Sequence, residues 1–145
     1  MFKKIAVAFD ESPEAQRAFR SALDLAKLAG ASVVLVTVVE KLPAYVSYVS
    51  AVAPDVPHLL KAERQSFYQD MQSRAKEVAE RAGVPIDTRL VEGDEVEALV
   101  QAVQQLRPDL LVVGLRRDPG GISSLVGGTA HHLALHAECD VLGVH

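Results

Sequence analysis

The chain has 145 residues, of which 49% are hydrophobic and 23% are charged, with a formal net charge of −4. This length suits one domain, which we expect to span residues 1–145, and the single cysteine, Cys139, excludes an internal disulfide framework. The acidic balance argues against nucleic-acid binding through phosphate neutralisation. The apolar runs fall short of the roughly 18 residues that a membrane span requires, and the first of them ends at Asp10, too early for a signal peptide. We therefore expect a cytoplasmic protein with no nucleic-acid or membrane partner.

The first forty residues predict a βαβ unit. The apolar run of residues 5–9 indicates a strand buried on both faces. Ser12 and Pro13 are suited to the N-cap and first turn of a helix, and alanines at helical spacing continue to Gly30, where that helix should end. The valine-rich segment 31–39 predicts a second buried strand.

The segment 40–57 breaks this alternation. Pro43, Pro54 and Pro57 interrupt any helical pattern, so the sequence predicts a long loop. Because loops of this length in a domain are usually functional or mobile, we interpret it as a candidate lid or partner surface.

Helical spacing returns after this segment and stops at Gly83. Residues 86–91 alternate between apolar and polar side chains, which is typical of a strand near a sheet edge. Asp94 then stands three residues before Glu97, in the arrangement of a capping box, and the helix that it begins should end before Pro108.

The last part of the chain predicts one more crossover. Residues 109–114 form a buried strand, 115–124 a loop with Gly, Arg and Ser, 125–137 a helix and 141–144 a short final strand. The alternation of strands and helices indicates an open parallel sheet with helices on both faces.

Ligands in such sheets bind at the carboxyl ends of the strands, where the strand order reverses. Residues 9–12 and the glycine-containing segment that begins at Gly114 occupy these positions. Glycines let backbone amides approach an anion, a helix starting near Gly127 would direct its positive end there, and Arg116 and Arg117 add cationic donors. The segment therefore fits an anion site, while an ordinary loop that uses glycine for turn geometry is the alternative.

Four short segments carry a resemblance that covers essentially the whole chain. They are residues 7–12 with the alanine-rich helix after them, residues 92–94, the strand 110–114 with its glycine-rich loop, and the ending 136–144. In this order and spacing they resemble the universal stress protein family. The resemblance implies a Rossmann-like five-stranded parallel sheet of order 3-2-1-4-5 and a role as an adenine-nucleotide-binding stress-response module.

ATP-binding members of that family carry the motif G-x2-G-x9-G-(S/T) in the glycine-rich loop. Gly114 and Gly127 match its first and third glycines. Arg117 replaces the second glycine, Gly128 stands where Ser or Thr is usual, and Thr129 follows one place late. The Arg117 side chain would either block the close approach of phosphate or bind its oxygens directly. The implied ligand is ATP, with or without Mg²⁺.

The resemblance also assigns positions to the ligand. Asp10 would lie beside the ribose or the adenine of the nucleotide, and Val38 and Val113 would pack against the adenine. For Asp10 the alternative is a carboxylate that stabilises the start of a helix through its dipole. The full set of implied contacts is Ala8, Phe9, Asp10, Val38, Val113, Gly114, Arg117, Gly127, Gly128 and Thr129.

Signals for catalysis are weak. The sequence contains neither the G-x-S-x-G motif of a nucleophile elbow nor a Walker A motif. A phosphoacceptor receiver domain needs an Asp at the end of the third strand and a Lys at the end of the fifth, where this chain has residues 91–93 and 144–145. We expect a non-catalytic protein, with weak ATP hydrolysis left open.

Metal binding and thiol chemistry are not expected either. His131, His132 and His136 share one predicted helix but lack the three or four placed ligands of a zinc site, so we expect no metal. Cys139 precedes the last strand and is interpreted as a small buried hydrophobe.

The final strand, residues 141–144, is short and apolar. In the family this edge strand pairs with its symmetry mate, and an unpaired apolar edge is a liability, so we expect a C2 homodimer. The alternative function is that of a dimeric signalling or structural member whose degenerate glycine-rich loop has lost ATP.

Overall fold

A computed structural model of the chain describes residues 1–116 and 128–145. Arg117 and Gly127, two of the predicted contact residues, lie outside the described part. The elements in chain order are β1 (Lys4–Ala8), α1 (Pro13–Ala29), β2 (Ser32–Val39), α2 (Tyr45–Val52), α3 (Val56–Arg81), β3 (Ile86–Glu92), α4 (Glu95–Leu106), β4 (Leu110–Gly114), α5 (Thr129–His136) and β5 (Asp140–Val144).

The strands form one five-stranded sheet in the order β3-β2-β1-β4-β5. Every pairing is parallel, and in the centre Val7 of β1 pairs with Leu35 of β2 and Val112 of β4. This arrangement confirms the predicted open parallel sheet of order 3-2-1-4-5. It also confirms that the alternating strand, β3, lies at an edge, because β3 and β5 end the sheet.

Each face of the sheet carries its own hydrophobic core. Ile5 and Val7 belong to the core under α1 and α3, whereas Ala6, Val34 and Val36 belong to the core under α4 and α5. Successive residues of a strand point to opposite faces. The strands β1, β2 and β4 are therefore apolar at nearly every position, as expected when helices cover both faces.

Local sequence signals fix the ends of α1. The Ser12 hydroxyl oxygen accepts a hydrogen bond from the backbone N–H of Ala15 at 3.1 Å, and the backbone N–H of Ser12 donates to Asp10 Oδ1 at 2.8 Å. At the other end Gly30 adopts φ 65°, a left-handed conformation that costs glycine little. The predicted N-cap at Ser12 and the predicted helix end at Gly30 are thus confirmed. Asp10 and Ser12 lie just beyond the carboxyl end of β1.

The prediction of a single long loop at residues 40–57 was wrong. This segment contains α2, and α3 already begins at Val56. Pro43 precedes α2 and Pro54 lies between the helices, while Pro57 occupies the first turn of α3, where its missing N–H breaks no helical hydrogen bond. The prolines therefore delimit helices instead of excluding them. The surface of α2 exposes Tyr45 and Tyr48, and a role as lid or partner surface stays a prediction.

A buried polar contact joins α3 to the sheet. Gln72 Nε2 donates to Thr37 Oγ1 of β2 at 2.9 Å and to the backbone carbonyl of Arg89 in β3 at 2.8 Å. Both Thr37 and Gln72 are buried. Because a buried polar group without a partner is costly, this contact favours one placement of α3 over the two strands.

None of the helices in residues 1–116 and 128–145 combines the length and the apolar character needed to cross a membrane.

Candidate functional site

A cavity of about 500 Å³ opens at the carboxyl ends of β1, β2 and β4. Its volume lies within the range of small-molecule sites, roughly 300–1,000 Å³. The position is also the one that the fold predicts, because β1 lies between strands reached by crossovers in opposite directions. The lining residues are Ala8, Phe9, Asp10, Ser12, Glu14, Ala15, Val36, Val38, Glu40, Glu95, Leu99, Val113, Gly114, Arg116, Ala130 and Leu133.

Apolar side chains form the part of the cavity lining that lies against the sheet and two helices. Val36, Val38 and Val113 present side chains from the strands, and they belong to or pack against the core under α4 and α5. Leu99 of α4 and Leu133 of α5 contribute from the covering helices, and both are buried. An apolar slot between a sheet and two helices suits a flat ring system.

Polar groups gather where helices begin. Asp10, Ser12 and Glu14 lie at the amino end of α1, and Glu95 is the first residue of α4. The first backbone N–H groups of a helix lack intrahelical partners and carry partial positive charge. The Asp10 carboxylate accepts one of these hydrogen bonds, from Ser12, and is half-buried at the cavity wall.

The charge of the described lining is predominantly negative. Asp10, Glu14, Glu40 and Glu95 supply four carboxylates, and Arg116 supplies one guanidinium. Partial burial raises the pKa of Glu95 above its ordinary value, and the negative charges of Asp10 and Glu40 raise it further.

Gly114 lets α1 approach β4 closely. A Cβ added at Gly114 would lie 2.4 Å from the backbone carbonyl carbon of Glu14 and 2.5 Å from its oxygen. Real Cβ contacts are essentially never this short, so the position has no room for a side chain. This close packing holds the amino end of α1, with Asp10 and Ser12, against the end of β4.

The structure brings six of the ten predicted contact residues together. Ala8, Phe9, Asp10, Val38, Val113 and Gly114 all line the cavity. Gly128 is the N-cap residue of α5, and Thr129 is the first residue of that helix, two positions and one position before the lining residue Ala130. The assignment of all ten residues to a ligand stays a prediction.

The sequence did not predict three acidic residues of the cavity, Glu14, Glu40 and Glu95. Glu40 comes directly after β2. Ligands bind at the carboxyl ends of parallel strands, and this rule, applied to β2 as well as to β1 and β4, predicts Glu40 as a site residue. Glu95 reaches the cavity because α4 packs against β2, a contact between segments more than fifty residues apart. Its only local signal was a place in the first turn of a helix.

The histidines of α5 are exposed, and the rings of His132 and His136 stack with centroids 6.2 Å apart. Across residues 1–116 and 128–145 the structure contains no group of three or more His, Cys, Asp or Glu side chains able to hold a metal ion. Cys139 is half-buried against the core under α4 and α5. Burial, and then the charge of Asp140, raises the pKa of its thiol. A protonated thiol is a poor nucleophile.

Comparison with known proteins gives consistent matches over the full length. The profile of the universal stress protein family matches residues 1–145. A universal stress protein of Methanocaldococcus jannaschii is 29% identical over 144 residues, covering 99% of this chain and 82% of the relative. A putative universal stress protein of Staphylococcus haemolyticus is 31% identical over 145 residues, covering 99% and 84%.

Solved structures of the same family share the fold. A universal stress protein family member from Burkholderia pseudomallei superposes with a TM-score of 0.74 at 30% identity, covering 98% of this chain and 95% of that chain. A universal stress protein crystallised in complex with cAMP also superposes with a TM-score of 0.74, at 26% identity and with 99% and 97% covered.

Proposed function

This chain belongs to the universal stress protein family, and from that premise we propose that it is a non-catalytic module that binds an adenine nucleotide, ATP included. The cavity at the carboxyl ends of β1, β2 and β4 carries the proposal, because six residues that the family resemblance assigns to the ligand line it together. The relative crystallised with cAMP supports the class of ligand.

The residues of the cavity suit the parts of a nucleotide. In this proposal the adenine ring lies in the apolar slot beside Val38 and Val113. The carboxylate of Asp10 accepts hydrogen bonds from ribose hydroxyls, since an ionised carboxylate is an acceptor only. The phosphates lie toward Gly114 and Arg116, where backbone can approach closely and a guanidinium can donate to two oxygens.

The proposal assigns no catalytic step. Among the described lining residues there is no His, Lys or Cys to act as a nucleophile or as a base of near-neutral pKa. In this view binding itself is the activity, and the occupied and empty forms present different surfaces to a partner. The homodimer through β5, the cytoplasmic location and any role of Mg²⁺ stay expectations from the sequence.

The experiment begins with the purified protein. It is denatured, the released small molecules are identified by chromatography and mass spectrometry, and the emptied, refolded protein is titrated calorimetrically with ATP in the presence of Mg²⁺. We expect either released adenine nucleotide or a saturable titration.

The variant Asp10→Asn tests the position of the ligand. The substitution removes the carboxylate charge but keeps an oxygen that can accept the hydrogen bond from Ser12, so α1 should remain capped. Glu11→Gln is the matched control, because Glu11 is adjacent, exposed and outside the cavity lining. A hydrogen bond to a charged group contributes about 1.5–3 kcal/mol, so Asp10→Asn should weaken binding by roughly 10-fold or more and Glu11→Gln by little.

A protein that releases no nucleotide and gives no heat with ATP would contradict the proposal. That outcome would favour the alternative in which the substituted glycine-rich loop has lost its ligand and the protein acts through its surfaces. Equal affinities of Asp10→Asn and Glu11→Gln would leave nucleotide binding in place but exclude this position for it.

A further inference from the structure

We propose that Glu40 and Glu95 set a preference for the charge of the ligand, so that the cavity selects adenine nucleotides of low negative charge over free triphosphate. The inference rests on the proposed function and concerns which nucleotide the same cavity takes. A divalent cation, which cancels about two of the roughly four negative charges of free ATP, should weaken the preference.

Glu40 and Glu95 both line the cavity. Glu40 lies two residues beyond Val38, and Glu95 begins α4, four residues before the lining residue Leu99. Both carboxylates therefore border the apolar slot from the side of β2 and α4. Partial burial, and then the negative charges of Asp10 and Glu40, raise the pKa of Glu95.

Negative charge predominates in the described lining of the cavity. Asp10 and Glu14 face the same cavity from the amino end of α1, and Arg116 is the one cationic side chain of the described lining. Asp94, next to Glu95, adds to the negative potential. Asp10 has a use as an acceptor for ribose hydroxyls, whereas the proposed pose gives Glu40 and Glu95 no group to bind. Among the described residues, Arg116 partly offsets the charge at Glu95, and Arg64 donates to the backbone carbonyl of Glu40 at 3.2 Å.

The carboxylates repel a phosphorylated ligand. Repulsion between like charges grows with the number of charges on the ligand and falls with distance and with dielectric screening. A cyclic phosphodiester carries about one negative charge and free ATP about four, because a terminal phosphate is largely doubly ionised at neutral pH. Adenosine carries none, so the two carboxylates should penalise ATP most and adenosine least.

Salt should reduce the preference. Glu40 and Glu95 are exposed at the rim of the cavity. Water and ions therefore screen them, with a Debye length of about 8 Å at 0.15 M ionic strength and about 3 Å at 1 M. A repulsion of this kind weakens as ionic strength rises, whereas a direct hydrogen bond to the base would be much less sensitive.

The test is calorimetric titration of the full chain with four ligands: adenosine, cAMP, AMP and ATP. Each is titrated at low salt with EDTA, at low salt with Mg²⁺, and at high salt. The variants are Glu40→Gln, Glu95→Gln and the double variant. Glu97→Gln is the matched control, because Glu97 lies in the same first turn of α4 and carries the same charge but is exposed and outside the lining.

We expect the double variant to bind metal-free ATP about 10- to 100-fold more tightly than the natural chain, cAMP at most about threefold more tightly, and adenosine equally well. The change for ATP should shrink with Mg²⁺ and at high salt, and Glu97→Gln should alter no affinity by more than about twofold.

Two results would overturn the inference while the proposed function stands. An unchanged ratio of ATP to cAMP affinity in the double variant would show that the carboxylates do not select by charge. An equal loss of affinity for all four ligands would show that they hold the base or ribose instead. If neither the natural chain nor the double variant binds any adenine ligand, the proposed function fails and the inference fails with it.

Discussion

Replacing Gly114 with alanine should move α1 away from the sheet. The added Cβ would meet the backbone of Glu14 at 2.4–2.5 Å, and backbone atoms within a helix cannot rotate aside as a side-chain end can. The whole amino end of α1 must therefore shift by a substantial part of an ångström. Because this end carries Asp10 and Ser12, the substitution should also deform the proposed nucleotide site.

The magnitude follows from two opposing effects. Overpacking a tight contact typically costs about 1–3 kcal/mol, and a clash with backbone belongs at the upper end. Replacement of glycine by alanine raises the free energy of unfolding by about 0.4–1 kcal/mol, because alanine restricts the conformations of the unfolded chain. We therefore expect Gly114→Ala to lower the free energy of unfolding by about 2–3 kcal/mol and to lower Tm by roughly 4–12 °C.

Gly143 provides the matched control. It lies in the neighbouring strand β5, paired with Val113, and a Cβ added there would meet Leu115 Cδ1 at 2.7 Å. That atom is the end of a flexible side chain, so the Leu115 side chain can move and Gly143→Ala should cost less than about 1 kcal/mol. Urea denaturation of both variants measures the difference. If Gly114→Ala is as stable as Gly143→Ala, the close approach of α1 and β4 is not a constraint and the reasoning is refuted.

Three further predictions concern stability. Gln72→Leu should lower the free energy of unfolding by about 1–3 kcal/mol in urea denaturation, because the buried hydroxyl of Thr37 loses its donor. The double variant with Thr37→Val should recover part of this loss. If the two substitutions change the free energy of unfolding additively, Gln72 and Thr37 do not stabilise each other. Ser12→Ala should cost about 1 kcal/mol through loss of the N-cap hydrogen bond of α1, measured in the same way, and an unchanged midpoint would show that the cap is dispensable. Asp109 Oδ2 accepts hydrogen bonds from the backbone N–H groups of residues 3 and 4, which hold the pKa of Asp109 below its ordinary value of 3.8. The stability that its ionised form contributes is therefore present above pH 3.8 and is lost as the pH falls through the lowered pKa. Asp109→Asn should flatten the acid limb of a curve of stability against pH, and an identical limb in both proteins would refute the assignment.

Local signals determined most of the architecture. Continuous apolar runs predicted β1, β2 and β4, because strands buried on both faces need an apolar side chain at nearly every position. Ser12 and Gly30 predicted the ends of α1, since the capping hydrogen bond and the left-handed conformation depend on neighbours within four residues. The order of elements predicted an open parallel sheet with helices on both faces, and the resemblance to the universal stress protein family implied its strand order. The carboxyl ends of β1 and β4 followed from that topology as the place for a ligand.

Tertiary structure decided what depends on distant segments. The prolines of residues 40–57 indicated interruptions of helical structure. Whether each proline ends a helix or begins one depends on what α2 and α3 pack against. Glu40 and Glu95 became neighbours of one cavity only when α4 packed against β2. The need for glycine at Gly114 arises from the backbone of α1, one hundred residues earlier in the chain. Hydrogen bonds along one segment are encoded by that segment, whereas the shape and charge of a cavity are sums over side chains that only the completed fold brings together.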